Sequence, residues 1–169
     1  MRGRHVSTLD EQIVQHKWLA QLCPIVNGVI YGTGEITLFS LIGGFQLSGT
    51  SIELRRGIRT CVTSFLEQNP DDWTSVTSLC EATSDELNAR VLAGEAGLGA
   101  DGFVAVTRKN DEYLEWIMFF ENSNPFIEVT INGPDIVAVT NLGDRWTIPL
   151  RSPENMSVET QRRSAEDSL

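Results

Sequence analysis

The chain is poor in the residues that most often carry chemistry. It holds two histidines, His5 and His16, and neither has a Cys, Asp or Glu partner at a spacing that would set metal ligands on one helix face or loop. No Gly-x-Ser-x-Gly elbow occurs, so serine hydrolase chemistry of that type has no anchor. Three cysteines, Cys23, Cys61 and Cys80, are widely spaced among apolar neighbours and odd in number, which argues against a disulfide framework. They read as buried thiols in a reducing compartment. No apolar run approaches the roughly 18–20 residues of a membrane span. The basic start, Met1–Asp10, has no apolar stretch behind it and does not read as a secretory signal. The expectation is a cytoplasmic protein with no cofactor, no metal, no membrane contact and no enzymatic activity.

Basic residues are scarce as well. Thirteen Lys and Arg stand against 23 Asp and Glu, giving a net charge of −10 over 169 residues. The excess is local. Met1–Arg59 carries six basic and four acidic residues, Thr60–Asp144 three basic and fifteen acidic, and Arg145–Leu169 four of each. Nucleic acid is excluded as a natural partner, because binding it requires Lys and Arg to neutralise phosphates. A basic protein suits the acidic middle, whose field would speed its capture. The competing reading is that the charge only keeps the chain dispersed.

What the sequence does have is capping boxes and turn-separated apolar segments. Thr8-x-x-Glu11 predicts a helix through about Leu22, with Leu9, Ile13, Trp18, Leu19 and Leu22 as an imperfect apolar face, ended by Cys23-Pro24. Val29–Tyr31 reads as a short β piece. Glu35–Leu47, broken by Gly43-Gly44, fits a strand, a bent strand or a short buried helix. Thr50-x-x-Glu53 predicts a second helix, because Leu54, Ile58, Cys61, Val62 and Phe65 recur on one helical stripe until Asn69-Pro70. Arg55, Arg56 and Arg59 lie off that stripe as a solvated or ion-paired face. Trp73–Leu79 is a candidate strand, and Thr83-x-x-Glu86 predicts a third helix with Leu87, Val91 and Leu92 inward.

From Asp101 onward five β-type segments follow: Gly102–Arg108, Glu112–Glu121, Phe126–Ile131, Ile136–Asn141 and Arg145–Leu150. Turn signals between them fit hairpins. Glu112–Glu121 is apolar on both parities and reads as a central strand covered on at least one side. In Phe126–Ile131 the alternation points Ile127, Val129 and Ile131 inward. The fold class is therefore α+β: N-terminal helices packed on a C-terminal antiparallel meander of about five strands, one domain over 1–150. Residues 151–169 read as a polar, flexible tail.

Two motifs tempt and fail. Gly97-x-Gly99-x-x-Gly102 matches the dinucleotide fingerprint, but a strand is expected after it instead of before it, so it reads as a connection. Glu115, Glu121 and Glu128 are candidates for acid–base work, yet with Asp111 and Glu112 beside them they read as a row of solvated charges. The functional expectation is a small acidic protein that docks on and neutralises a basic partner, as an immunity protein covers a toxin domain. Its predicted contact residues are Asp111, Glu112, Glu115, Glu121, Glu128 and Asp135, with Trp73 as an aromatic anchor. Alternatives are a secretion or folding chaperone with an exposed apolar groove, or a cone-shaped small-molecule pocket lined by Trp116, Met118, Phe120 and Trp146.

Overall fold

The computed structural model describes residues 7–42 and 52–160. Among them strand dominates, with twelve strands against two helices. The expected α+β arrangement of helices on a five-strand meander is therefore corrected to a two-sheet antiparallel β fold. The first sheet has eight strands in the spatial order β1 (Leu22–Pro24), β5 (Trp73–Ser84), β6 (Ala89–Ala96), β7 (Gly102–Arg108), β8 (Leu114–Phe120), β2 (Gly28–Tyr31), β3 (Glu35–Ile42) and β4 (Glu53–Cys61). The second has four, in the order β12 (Ser157–Glu159), β11 (Arg145–Pro149), β10 (Asp135–Thr140) and β9 (Phe126–Asn132).

Three layers result. The small sheet covers one face of the large one, and helices α1 (Leu9–Leu19) and α2 (Val62–Gln68) cover part of the other. Strand β8 explains why its sequence is apolar on both parities. Trp116, Met118 and Phe120 face the small sheet, while Ile117 and Phe119 face the helices, and β8 lies between β7 and β2 as the expected central strand. The aromatic centre of the molecule lies between the sheets. Trp146 is fully buried there, 5.3 Å from Phe120 and edge-on to Phe126 at 5.6 Å. Trp116, Met118, Phe120 and Trp146 thus fill the core; they do not line a cone.

Of the three predicted helices, the first forms. The Thr8 hydroxyl accepts from the Glu11 backbone N–H at 3.2 Å, with Asp10 and Glu11 in the first turn and Lys17 in the last, each suited to the helix dipole. It stops at Leu19, and Leu9 and Leu19 are exposed; Val14 is the apolar residue it buries.

The second expected helix is replaced by strand β4, which pairs with β3. Gly57 and the β-branched Ile58 and Thr60 weaken a helix there by up to about 1 kcal/mol each, and β3 offers an open ladder. A register shift opposite Leu38 turns Ile58 out to 71% exposure, so this predicted core residue is a surface residue. Helix α2 begins only at Val62, where Val62 and Phe65 turn inward as expected, and it ends before Asn69.

The third expected helix is a β5–β6 hairpin. Thr83 lies in β5 opposite Arg90, the Ser84 hydroxyl accepts from Leu87 N–H at 3.2 Å, and Asn88 adopts φ 48°. Ser, Asp and Asn satisfy turn backbones as readily as helix starts, which is why a capping-box spelling misleads here.

All five C-terminal segments are strands, yet they do not form one sheet. Residues 121–125 carry the chain from β8 in the large sheet to β9 in the small one, where a hairpin was expected. A register shift opposite Val139 and Thr140 turns Ile127 outward, at 46% exposure, while Phe126 and Val129 are buried. The stretch expected as a loose tail carries a 3-10 turn at Pro153–Asn155 and strand β12, with Met156 buried between them. His5, Gly43-Gly44, Thr50 and residues beyond 160 lie outside the described residues.

The fingerprint-like glycines connect β6 to β7. Gly102 is held to glycine by packing, since a Cβ there would stand 2.3 Å from the Asn124 carbonyl oxygen.

Candidate functional site

Three of the hairpin turns, β5–β6, β7–β8 and β9–β10, gather at one end of the fold. The β5–β6 and β7–β8 turns are laced together: Lys109 N–H donates to Asn88 O at 3.1 Å, Asn110 N–H to Asn88 Oδ1 at 3.2 Å, and the Lys109 ammonium pairs with Asp85. Arg151 donates to Leu87 O at 3.0 Å and Leu150 N–H to Pro134 O at 3.0 Å, which brings the β9–β10 turn to the same end.

This topology divides the predicted contact residues. Asp111, Glu112, Glu115 and Asp135 share the turn end, joined by Asp85 and Glu86. Glu121, beyond the far end of β8, and Trp73, at the start of β5, lie at the opposite end. Glu128 sits on the outer face of the small sheet, in a shallow depression shared with Arg145 and Glu159. Trp73 is partly buried against the helix-side core, and the Lys17 ammonium lies 4.9 Å from its ring centre.

Most carboxylates of the turn end are paired with a cation, Arg108 serving two of them. Asp111 stands 3.5 Å from Arg108, Glu112 3.8 Å from Arg90, and Glu115 accepts from Arg108 Nε at 2.5 Å. Exposed pairs of this kind contribute only about 0–1 kcal/mol, so they exchange readily for a partner's cation.

Beside these turns lies a cleft of about 420 Å³ lined by Glu11, Tyr31, Thr33, Arg108, Tyr113 and Glu115. Its walls are fixed by long-range contacts. The Tyr113 hydroxyl donates to Glu11 Oε1 at 2.7 Å, and the Arg108 guanidinium stacks 4.2 Å from the Tyr113 ring centre. Burial and the Glu11 carboxylate push the Tyr113 phenol up to about 12. Tyr31 is likewise pushed up to about 12, by burial first and then by the Glu154 carboxylate that its hydroxyl meets. Both phenols therefore stay protonated as donors.

Gln15 of α1 holds the floor. A register shift between Val106 and Thr107 leaves Glu115 outside the β7–β8 ladder, and Gln15 fills the gap by accepting from Leu114 N–H at 3.0 Å and donating to Leu114 O at 2.9 Å. It also donates to Gly32 O at 3.1 Å. Gly32 has no room for a side chain, because a Cβ would stand 1.7 Å from Leu114 O.

Behind Tyr31 is a second polar knot. Glu154, in the turn after β11, accepts from the Thr37 hydroxyl and from Arg59 at 3.1 Å, and Arg56 donates to Glu154 O at 3.2 Å. Burial raises the Glu154 carboxyl, but the Thr37 hydrogen bond and the Arg59 and Arg56 charges outweigh it, so the net shift is downward. The arginine face read from the sequence is thus ion-paired, Arg56 and Arg59 with Glu154 and Arg55 with Glu53.

Sequence reasoning missed Glu11, Tyr31, Thr33, Arg108 and Tyr113 as one site. Glu11 already had a sufficient local role in the capping box, and the Tyr113–Glu11 contact spans 102 positions. Among the described residues no group of three or more His, Cys, Asp or Glu is placed to hold a metal ion, and no helix is long and apolar enough to cross a membrane. Comparison with known proteins brings out no match: no family model fits the chain, and no curated protein or solved structure is detectably similar to it.

Proposed function

We propose that this chain is a binding protein that docks its turn end on a basic protein and neutralises it, in the manner of an immunity protein covering a toxin domain in the cytoplasm. One observation carries the reading: three hairpin turns remote in sequence bring Asp85, Glu86, Asp111, Glu112 and Asp135 to one end of the sandwich. The mechanism is steric, with the turn-end field raising the association rate and the cleft side chains slowing release. Free thiols at Cys23, Cys61 and Cys80 suit a reducing compartment.

The test is a comparative capture from the native host. Wild-type protein and a Glu86→Lys/Glu112→Lys/Asp135→Lys variant are immobilised and washed at rising salt. A basic protein held by the wild type, released by salt and lost from the variant is the expected result. A partner held equally by both places the interface elsewhere and overturns the reading.

A further inference from the structure

Three carboxylates bound or back the cleft, and two of them are matched by cations. Glu115 has Arg108, and Glu154, behind Tyr31, has Arg56 and Arg59. Glu11 differs. It is 8% exposed, it lines the cleft, and among the described residues its carboxylate accepts the neutral hydroxyl of Tyr113 and no cation. No Lys, Arg or His among the described residues stands within ion-pair distance of it. Buried carboxylates are as a rule paired with a cation or protonated, because an unmatched charge out of water is costly.

The surroundings fit a cation. Arg108 is neutralised by Glu115 and Asp111, so the cleft and its rim carry more negative than positive charge. Tyr31 and Tyr113 line it with aromatic rings, Tyr113 already carrying Arg108 against its ring, and an aromatic ring beside a carboxylate suits a guanidinium or ammonium group. The volume of about 420 Å³ holds the end of one long side chain. A small anion meets the opposite situation, since Arg108 already spends two of its nitrogens on carboxylates.

We propose that this cleft is a receptor for a single cationic side chain, an arginine or lysine of the partner, which completes Glu11 with Tyr31 and Tyr113 at its sides. The proposal deepens the reading of the chain as a binder of a basic protein and rests on it. Glu11 becomes the specificity-determining residue of the interface, and the exposed turn carboxylates supply attraction at longer range. Steering and recognition are then two separable parts of one surface.

The probe is Nα-acetyl-arginine methylamide, followed by amide chemical shifts of the full chain, with the citrulline analogue as its neutral isostere. Saturable shifts centred on Glu11, Tyr31, Thr33 and Tyr113, at least tenfold weaker with citrulline and in Glu11→Gln, are expected. Glutamine keeps an acceptor for the Tyr113 hydroxyl, so this variant separates charge from packing. The Glu86→Lys/Glu112→Lys/Asp135→Lys variant, altered outside the cleft lining, should still bind the probe. Probe binding with no basic partner found would therefore sink the docking reading and leave the cation site standing. Equal response to citrulline, an unchanged response in Glu11→Gln, shifts centred elsewhere, or no saturable response at millimolar probe would each overturn the cation site.

Discussion

The two faces of the eight-stranded sheet are joined to their neighbours by different chemistry. Toward the small sheet the contact is mainly an apolar layer, from Val91 and Val104 through Trp116 and Phe120 to Trp146 and Ile148, with the Trp116 indole N–H donating to Leu150 O at 2.9 Å and the Glu154 knot at its edge. Toward the helices the apolar layer is supplemented by directed polar contacts. Gln15 bonds Leu114 and Gly32, and Asp10 accepts from Thr63 N–H at 2.8 Å to cap α2. Apolar contact is strong and non-directional, so it fixes how much of the sheet is buried. Hydrogen bonds are weaker but geometrically exacting, so they fix where α1 sits. The first interface carries stability; the second places Glu11 at the cleft. The two should respond differently to mutation.

The largest effect is expected between the sheets. Trp146→Ala removes the largest fully buried side chain and should destabilise the protein by about 3–5 kcal/mol. Denaturant unfolding would measure it. The Trp146 indole N–H is buried without a partner among the described residues, so Trp146→Phe should cost clearly less than the alanine change. An equal loss for both would mean that the N–H carries an interaction that burial and packing do not explain.

On the helix side, Gln15→Ala should cost about 1–3 kcal/mol, because it strands the Leu114 N–H at the ladder break. It should also disturb the Glu11, Tyr31 and Tyr113 resonances, which Trp146→Phe should leave in place. If Gln15→Ala unfolds the protein as severely as Trp146→Ala, the division of labour between the faces is wrong.

A graded effect belongs to the knot where the sheets meet. Burial opposes ionisation of Glu154, but Thr37, Arg59 and Arg56 hold its carboxyl below the ordinary value. Its contribution to stability is thus present above the unfolded-state value of about 4.3 and is lost as pH falls through the lower folded value. Unfolding free energy measured between neutral pH and about pH 3 should fall less steeply for Glu154→Gln than for the wild type. Parallel profiles would show that Glu154 is uncoupled from folding.

The strands that a sequence reader finds without difficulty here are those whose reasons are local. Gly102–Arg108 has the same bounds in sequence and structure, and β8 declares a central position by being apolar on both parities. The fold class was not legible, because sheet membership depends on where residues 121–125 take the chain, and no local pattern states that. The cleft was less legible still. Tyr31 and Tyr113 are ordinary tyrosines until β2 and β8 pair, and Asp111, Glu112 and Asp135 become neighbours only through three turns. Capping boxes misled twice of three times for a physical reason: Thr, Ser and Glu at that spacing describe a local hydrogen-bond option, and a sheet ladder outbids it when a partner strand is in place.

The smallest expected effect tests that last point. In the helical reading of 50–69, Ile58 is the centre of the buried stripe, and truncating it should cost about 2–5 kcal/mol. In the structure the register shift in β4 leaves Ile58 at 71% exposure, with Leu54 turned toward the small sheet and Val62 toward the helices. Ile58→Ala removes little buried surface there, and the change should fall within about 0.5 kcal/mol, as surface substitutions do. Leu54→Ala, two turns of ladder away on the same strand, should cost more than Ile58→Ala because its side chain packs on the inter-sheet core. The ordering decides between the two readings without reference to absolute values. A helix buries Ile58 at least as deeply as Leu54, whereas the strand buries Leu54 and exposes Ile58.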